Sequence, residues 1–269
     1  MLRSLIVAAL ALCLPAEASG AAACPAKGGF DYLGVRIMRS GAGAYLYQTD
    51  VKLIDADGAP NAYHPADAAP DCPDSGHGLD CLASAGFPGS PWWQTVLVAD
   101  PGHADRPLVQ ASGPYAGYYV SMTTLSNTSV AGPADPASYV NADATPYIVL
   151  PAPIYRTHGV RGGMGDMGDV GYAVNLDNGR STPFVIADEG PVEPLGEASV
   201  AFWRTMGSPA PNPRNGEGLS QDRIAYVVFP RSRHGVSLGW PIAPERLAAE
   251  AQKLLAGIGG REAFLACFQ

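Results

Sequence analysis

Two carboxylates, Asp188 and Glu197, stand nine positions apart on either side of the Gly/Pro-containing stretch 189–196. Acids held on two rigid elements, joined by a short loop, are what hydrolysis of a glycosidic bond requires. One serves as acid and the other as base or nucleophile. Singly, each has an ordinary explanation: an Asp after a strand starts a turn, and a Glu near a helix N-terminus complements the dipole. The pairing raises the chemical reading above the ordinary one.

The elements that must position them are legible on both sides. Tyr172, Val174 and Leu176 alternate with Ala173 and Asn175, Asp177-Asn178-Gly179 supplies turn residues, and Phe184-Val185-Ile186 returns as a second strand. Strict alternation puts Asp188 on the face of Phe184 and Ile186. Beyond the loop, Ala198, Ala201, Phe202, Thr205 and Met206 recur at helical spacing until Gly207 and Pro209. Glu197 is therefore expected in the first helical turn, where the dipole favours its ionised form. Asp188, flanked by apolar side chains, is expected to be the harder to ionise. On these grounds Asp188 is the expected general acid and Glu197 the base.

The run Asp188-Glu189-Gly190-Pro191, followed by Leu195-Gly196-Glu197-Ala198-Ser199-Val200-Ala201, resembles the D-x-G-P and G-E-x-S core of glycoside hydrolase family 75, the chitosanases. Five further stretches resemble bacterial members in the same order: 53–60, 61–64, 117–121, 146–151 and 226–230. The likeness covers the chain from about residue 30 to 260. It implies an inverting endo-acting hydrolase of β-1,4-linked glucosamine polymers, with Asp188 and Glu197 as the essential pair. Inversion calls for carboxyl groups roughly 6.5–9.5 Å apart. One departure is local: Met164-Gly165-Asp166-Met167-Gly168-Asp169 doubles a Gly-Asp that the pattern carries once, and makes Asp169 a candidate sugar contact.

Other candidates surround this pair. Asp55 and Asp57, in Asp55-Ala56-Asp57-Gly58, read as a turn or, by the resemblance, as a sugar-contacting pair. A calcium loop is excluded because Ala59 and Pro60 fall where ligands and a Gly are needed. Tyr63, Trp93 and Tyr119 are candidate platforms for sugar rings, with core packing as the commoner fate of aromatic residues. Trp92 and Trp93 would point opposite ways on a strand, and Gln110 could bond hydroxyls. The five histidines show no metal-binding spacing, and neither a nucleophile elbow nor a phosphate loop is present. No metal or cofactor is expected.

Composition bounds the fold. With 32 Gly and 25 Pro scattered along 269 residues, the chain breaks into short elements, which suits a mainly β single domain. Strands are expected at 44–47, 49–55, 94–99, 108–110, 117–121, 147–150, 171–176, 184–187 and 224–229, with a second helix over 244–257. The D-x-G corner between elements also resembles that of double-psi β-barrels, which implies a six-stranded barrel with extra strands and a few short helices.

Residues 1–23 read as a signal peptide: Arg3, an apolar run from Leu5 to Leu14, then small residues, too short to span a bilayer. The domain is then 24–269, exported and lacking a membrane anchor. Its four cysteines form an even set in an oxidising compartment, which points to disulfides. Three pairings are possible, and Cys72 with Cys81 plus Cys24 with Cys267 is the favoured one. The formal charge of -8 with three Lys residues argues against nucleic acid and suits a cationic polymer such as chitosan. A monomer is expected. Two alternatives stay open: a polysaccharide or cell-wall binding protein without turnover, and a hydrolase of another amino-sugar polymer.

Overall fold

The computed structural model describes residues 22–68, 71–152 and 163–269. All but the last two residues of the signal-peptide reading, 1–23, lie outside them. The chain is mainly β and forms a single domain. Nine strands make one mixed sheet: β1 (Ala26–Tyr32), β2 (Val35–Ser40), β3 (Tyr45–Thr49), β4 (Leu53–Asp55), β7 (Tyr147–Pro151), β8 (Val170–Asn175), β9 (Ser181–Gly190), β10 (Glu197–Ser199) and β11 (Ile224–Phe229). Their order is β1-β2-β3-β11-β8-β9-β7-β10-β4. A small antiparallel pair, β5 (Ala99–Asp100) and β6 (His103–Pro107), lies apart.

Among the described residues no pairing closes six of these strands into a ring, so the expected barrel gives way to an open succession of nine. Both faces of the sheet are covered. Helices are short: α1 (Thr128–Ala131), α2 (Val200–Met206), α3 (Pro244–Ala256) and α4 (Gly260–Leu265). Phe202, Trp203 and Met206 of α2 pack with Phe184, Ile186 and Tyr226 on one face. Leu247, Ala251 and Leu255 of α3 pack with Val174, Val185 and Val227 on the other. The central strands β7, β8 and β11 are buried along their whole length, which is why apolar residues fill consecutive positions there.

The hairpin forms as its turn residues dictate. β8 and β9 pair antiparallel from Val170 opposite Val185 to Val174 opposite Ser181, and Gly179 closes the turn at φ 75°. The region from 94 to 121 departs from expectation. Pro91 opens a 3-10 helix, Pro91–Thr95, and apart from Ala99 at the start of β5 only isolated bridges, Leu97 with Ser121 and Val109 with Tyr119, mark the strands expected at 94–99, 108–110 and 117–121. Proline at the first turn presets helical φ, and this wins over the β propensity of the residues that follow. The expected strand 49–55 is interrupted at residues 50–52, and β1 and β2 were not anticipated.

Both favoured disulfides are present. Cys24–Cys267 ties the first strand region to the C-terminus, and Cys72–Cys81 closes a surface loop.

Candidate active site

Glu197 lies on β10, not in a helix. Ser199 is the N-cap of α2, its Oγ accepting from the Phe202 amide at 3.1 Å, so the helix begins at Val200. The donors that would have favoured an ionised Glu197 therefore belong to Ser199, and the dipole argument fails. The strand supplies a different placement. Ala198 pairs with Ile148 and shares its core cluster. Alternation then turns Glu197 and Ser199 to the opposite face, the face of Tyr147 and Val149. β10 also runs parallel to β4, with Ser199 opposite Asp55. Gly196 permits this approach: it sits at φ 141°, and a Cβ there would fall 2.1 Å from the Val51 carbonyl oxygen.

Asp188 reaches the same face by a different device. In the parallel pairing of β7 and β9, Ile148 opposes Ile186 but Val149 opposes Asp188, with the register shifting between them. This bulge inserts Ala187 as an extra residue and breaks the alternation. Asp188 therefore does not share the face of Phe184 and Ile186, as strict alternation would require. It joins Tyr147, Asp55 and Asp57.

The result is a cluster at one end of the sheet. Carboxylate oxygens of Asp55, Asp57 and Asp188 lie within 4.8 Å of one another. Asp188 accepts three hydrogen bonds, all through Oδ1: from Thr124 Oγ1 at 2.6 Å, Thr124 N at 3.2 Å and its neighbour Glu189 N at 2.8 Å. Its Oδ2 makes no hydrogen bond to a described residue. Asp57 Oδ1 accepts from Tyr63 Oη at 2.7 Å and from Ser121 Oγ at 3.4 Å. Asp55 Oδ1 accepts from the Asp57 amide at 2.7 Å, and Tyr147 Oη donates to the Asp57 carbonyl at 3.0 Å. The Glu197 side chain makes no hydrogen bond to a described residue. Gly190 leaves it room: a Cβ there would lie 3.2 Å from Glu197 Oε2.

Burial and mutual repulsion separate the protonation states. Loss of hydration, opposed by the Thr124 and Glu189 donors, pushes the Asp188 carboxyl up to about 6. Asp55 is pushed up to about 7 by burial and then by the Asp188 charge. Glu197 is raised well above the ordinary glutamate value by burial, then by Asp55, Glu193 and Asp188, with no hydrogen bond from a described residue to offset them. Asp57 is likewise raised, by burial and then by Asp55. This end of the sheet can hold protons at neutral pH, with Glu197 the residue least supported in its ionised form.

Three carboxylates also offer the oxygens that a hard divalent cation takes. Hydroxyl and amide donors already occupy Asp55 Oδ1, Asp57 Oδ1 and Asp188 Oδ1. The other close trio, Cys72, Asp80 and Cys81, has both sulfurs in a disulfide.

Several expected sugar contacts serve the scaffold instead. Asp169 is fully buried, and its carboxylate accepts from the backbone amides of Asp166, Arg231 and Arg233, which makes it a loop clamp. Trp93 is 6% exposed and packs edge-on against Phe87, as Tyr119 does. Its neighbour Trp92, on a 3-10 turn rather than a strand, is 47% exposed. Tyr63 is buried and orients Asp57. Gln110 Nε2 bridges the carbonyls of Pro60 and Tyr119 at 2.6 and 3.1 Å, holding the corner that follows Asp57.

Three neighbours of the acids escaped the sequence reading. Thr124, which supplies two of the three bonds to Asp188, follows an irregular stretch and carries no local signal. Ser121 and Tyr147 stand inside motifs noted above, without a hint that their hydroxyl groups converge on the acids. The chain matches no protein-family model and no curated protein.

Proposed function

We propose that the protein is a secreted inverting glycoside hydrolase of the chitosanase type, acting on β-1,4-linked glucosamine polymers with Glu197 and Asp188 as its acid–base pair. One observation carries the reading: two carboxylates on adjacent parts of one sheet face have opposite support, three hydrogen bonds to the Asp188 carboxylate and, among the described residues, none to that of Glu197. That asymmetry suits one group kept protonated and one more readily ionised. It also reverses the roles expected from the sequence.

In the proposed reaction Glu197 donates its proton to the glycosidic oxygen as the bond to the anomeric carbon breaks. Asp188 accepts a proton, through Oδ2, from a water that attacks the anomeric carbon from the opposite face. One bond forms and one breaks, and the Asp188 proton returns to solvent while Glu197 is reprotonated. Asp55 lies close enough to disfavour Glu197 ionisation, and Tyr63, Thr124 and Tyr147 fix the acids. The order of motifs supports the family assignment, while the absence of a family-model match leaves the weight on this geometry. Two disulfides fit an oxidising compartment. No helix among the described residues is long and apolar enough to cross a membrane.

Reducing-end release from soluble, fully deacetylated chitosan tests the reading, with E197Q and D188N alongside. Wild-type release, lost by ~10³-fold or more in both variants, is expected; general acid–base groups commonly contribute 10²–10⁴-fold each. In the wild type, activity should rise with pH through about 6, as Asp188 ionises, and fall at higher pH as Glu197 loses its proton. Binding of chitosan by a folded wild-type protein that releases no reducing ends would move it to the glycan-binding class.

A further inference from the structure

A half-open cavity of about 1000 Å³ lies away from the carboxylates, between the loop 110–115, the segment 130–145 and the turn 240–244. That volume is at the upper end for ligand pockets and accommodates more than a single ring. Pro60 and Val140 line it, and both border the acid-bearing corner. Gln110 Nε2 donates to the Pro60 carbonyl, and the Val140 carbonyl packs so closely on Gly58 that a Cβ there would lie 2.2 Å from its oxygen. The cavity and the cleft are thus neighbours across residues 57–60.

Its chemistry is that of a sugar site. Three rings, Tyr115, Tyr139 and Trp240, stand in walls otherwise rich in proline and alanine, and of these Tyr139 is buried, its hydroxyl donating to the Pro133 carbonyl at 2.8 Å. Each ring is held: Trp240 Nε1 donates to the Ala137 carbonyl at 2.7 Å, and Tyr115 meets Tyr118 edge-on at 6.0 Å. Asp135 is the one charged side chain among the lining residues, so the cavity disfavours anions and has an acceptor for an ammonium group. Asp135 Oδ1 accepts from the Ala137 amide at 2.8 Å, leaving Oδ2 without a described partner. Asn141 Oδ1 accepts from the Asp143 amide at 2.9 Å, which leaves its NH₂ donors for a hydroxyl. Ring faces beside a few unspent polar groups suit a carbohydrate, whose C–H faces stack and whose hydroxyls bond.

We infer that this cavity is a second carbohydrate-binding site, which holds a glucosaminyl stretch of the polymer beside the cleft through Tyr115, Trp240, Asp135 and Asn141. The identity of the sugar rests on the hydrolase reading above. A chain long enough to occupy both places is held more tightly than a short one, because the second contact is made within an existing complex.

The test is the backbone and indole amide NMR spectrum of E197Q, titrated with a fully deacetylated glucosamine hexamer and, in parallel, with the disaccharide. The hexamer should shift the signals of Tyr115, Asn141 and the Trp240 indole. Adding Tyr115→Ala or Asp135→Asn should weaken hexamer binding about fivefold or more, on the scale of one lost aromatic or ionic contact. Both changes fall on partly exposed or exposed loop positions, so a folded spectrum is expected for each. Shifts confined to the carboxylate cleft, or hexamer affinity unchanged in both variants, would overturn the inference even if the wild type hydrolyses chitosan. Cavity shifts from the hexamer, with no hydrolysis by the wild type, would uphold the site and remove the hydrolase reading instead.

Discussion

Replacing Asp55 with Asn should stabilise the protein at pH 8 and leave it nearly unchanged at pH 4. Asp55 is 8% exposed, and burial together with the Asp188 charge pushes its carboxyl from 3.8 to about 7. A carboxyl whose folded pKa is raised retains its proton in the folded state while the unfolded chain has lost it. Its contribution to stability is thus complete below about pH 4, declines as pH rises, and is lost above about pH 7. A rise of about three pKa units at 1.36 kcal/mol each makes that loss about 4 kcal/mol. Asn is nearly isosteric, keeps an oxygen to accept from the Asp57 amide, and carries no charge to desolvate. Urea unfolding of wild type and Asp55→Asn at pH 4 and pH 8 measures the difference. The expected gain approaches 4 kcal/mol at pH 8 and is under about 1 kcal/mol at pH 4. An equal change at both pH values, or destabilisation at pH 8, would refute the claim that an uncompensated buried charge is held here. The same variant links stability to chemistry. Asp55 is the leading charge that raises Glu197, so the alkaline limb of any activity profile should move to lower pH.

Other perturbations separate scaffold from site. Arg214 is almost fully buried and binds Asp67 at 2.5 Å, while also donating to the carbonyls of Pro73, Gly78 and Asp80 around the Cys72–Cys81 loop. Arg214→Met should cost about 3–5 kcal/mol in urea unfolding, because it leaves the Asp67 charge buried without its partner; a cost under about 1 kcal/mol would contradict that role. Trp93→Ala should cost about 3–5 kcal/mol by emptying core volume. Trp92→Ala, at a 47% exposed position, should cost less than about 1 kcal/mol by the same assay, and the reverse order would contradict their assignment.

Much was legible in the chain before any tertiary contact. Phe184-Val185-Ile186 and the Asp177-Asn178-Gly179 turn specify the hairpin because turn chemistry and β propensity are local. The helix 244–257 is announced by proline at its start and apolar residues on one face. An even cysteine count announces disulfides, while the choice among three pairings is made by the fold, which brings Cys24 to Cys267 and Cys72 to Cys81. Asp188 and Glu197 stand out as candidates at the same level, since a motif records residue types at fixed spacing.

What the folded structure alone decided was which way those side chains face and what they meet. A one-residue bulge at Ala187, visible only in the register of β9 against β7, carries Asp188 across the sheet. The serine cap that starts α2 one residue after Ser199 leaves Glu197 on a strand and removes the dipole from its surroundings. Thr124, more than sixty residues from Asp188 in sequence, supplies two of its hydrogen bonds. Asp55 arrives through parallel pairing of β4 with β10. Local pattern can announce a strand, a turn or an acid. The protonation state of a carboxylate depends on burial and on charges brought together from distant segments, and those are set only when the sheet assembles.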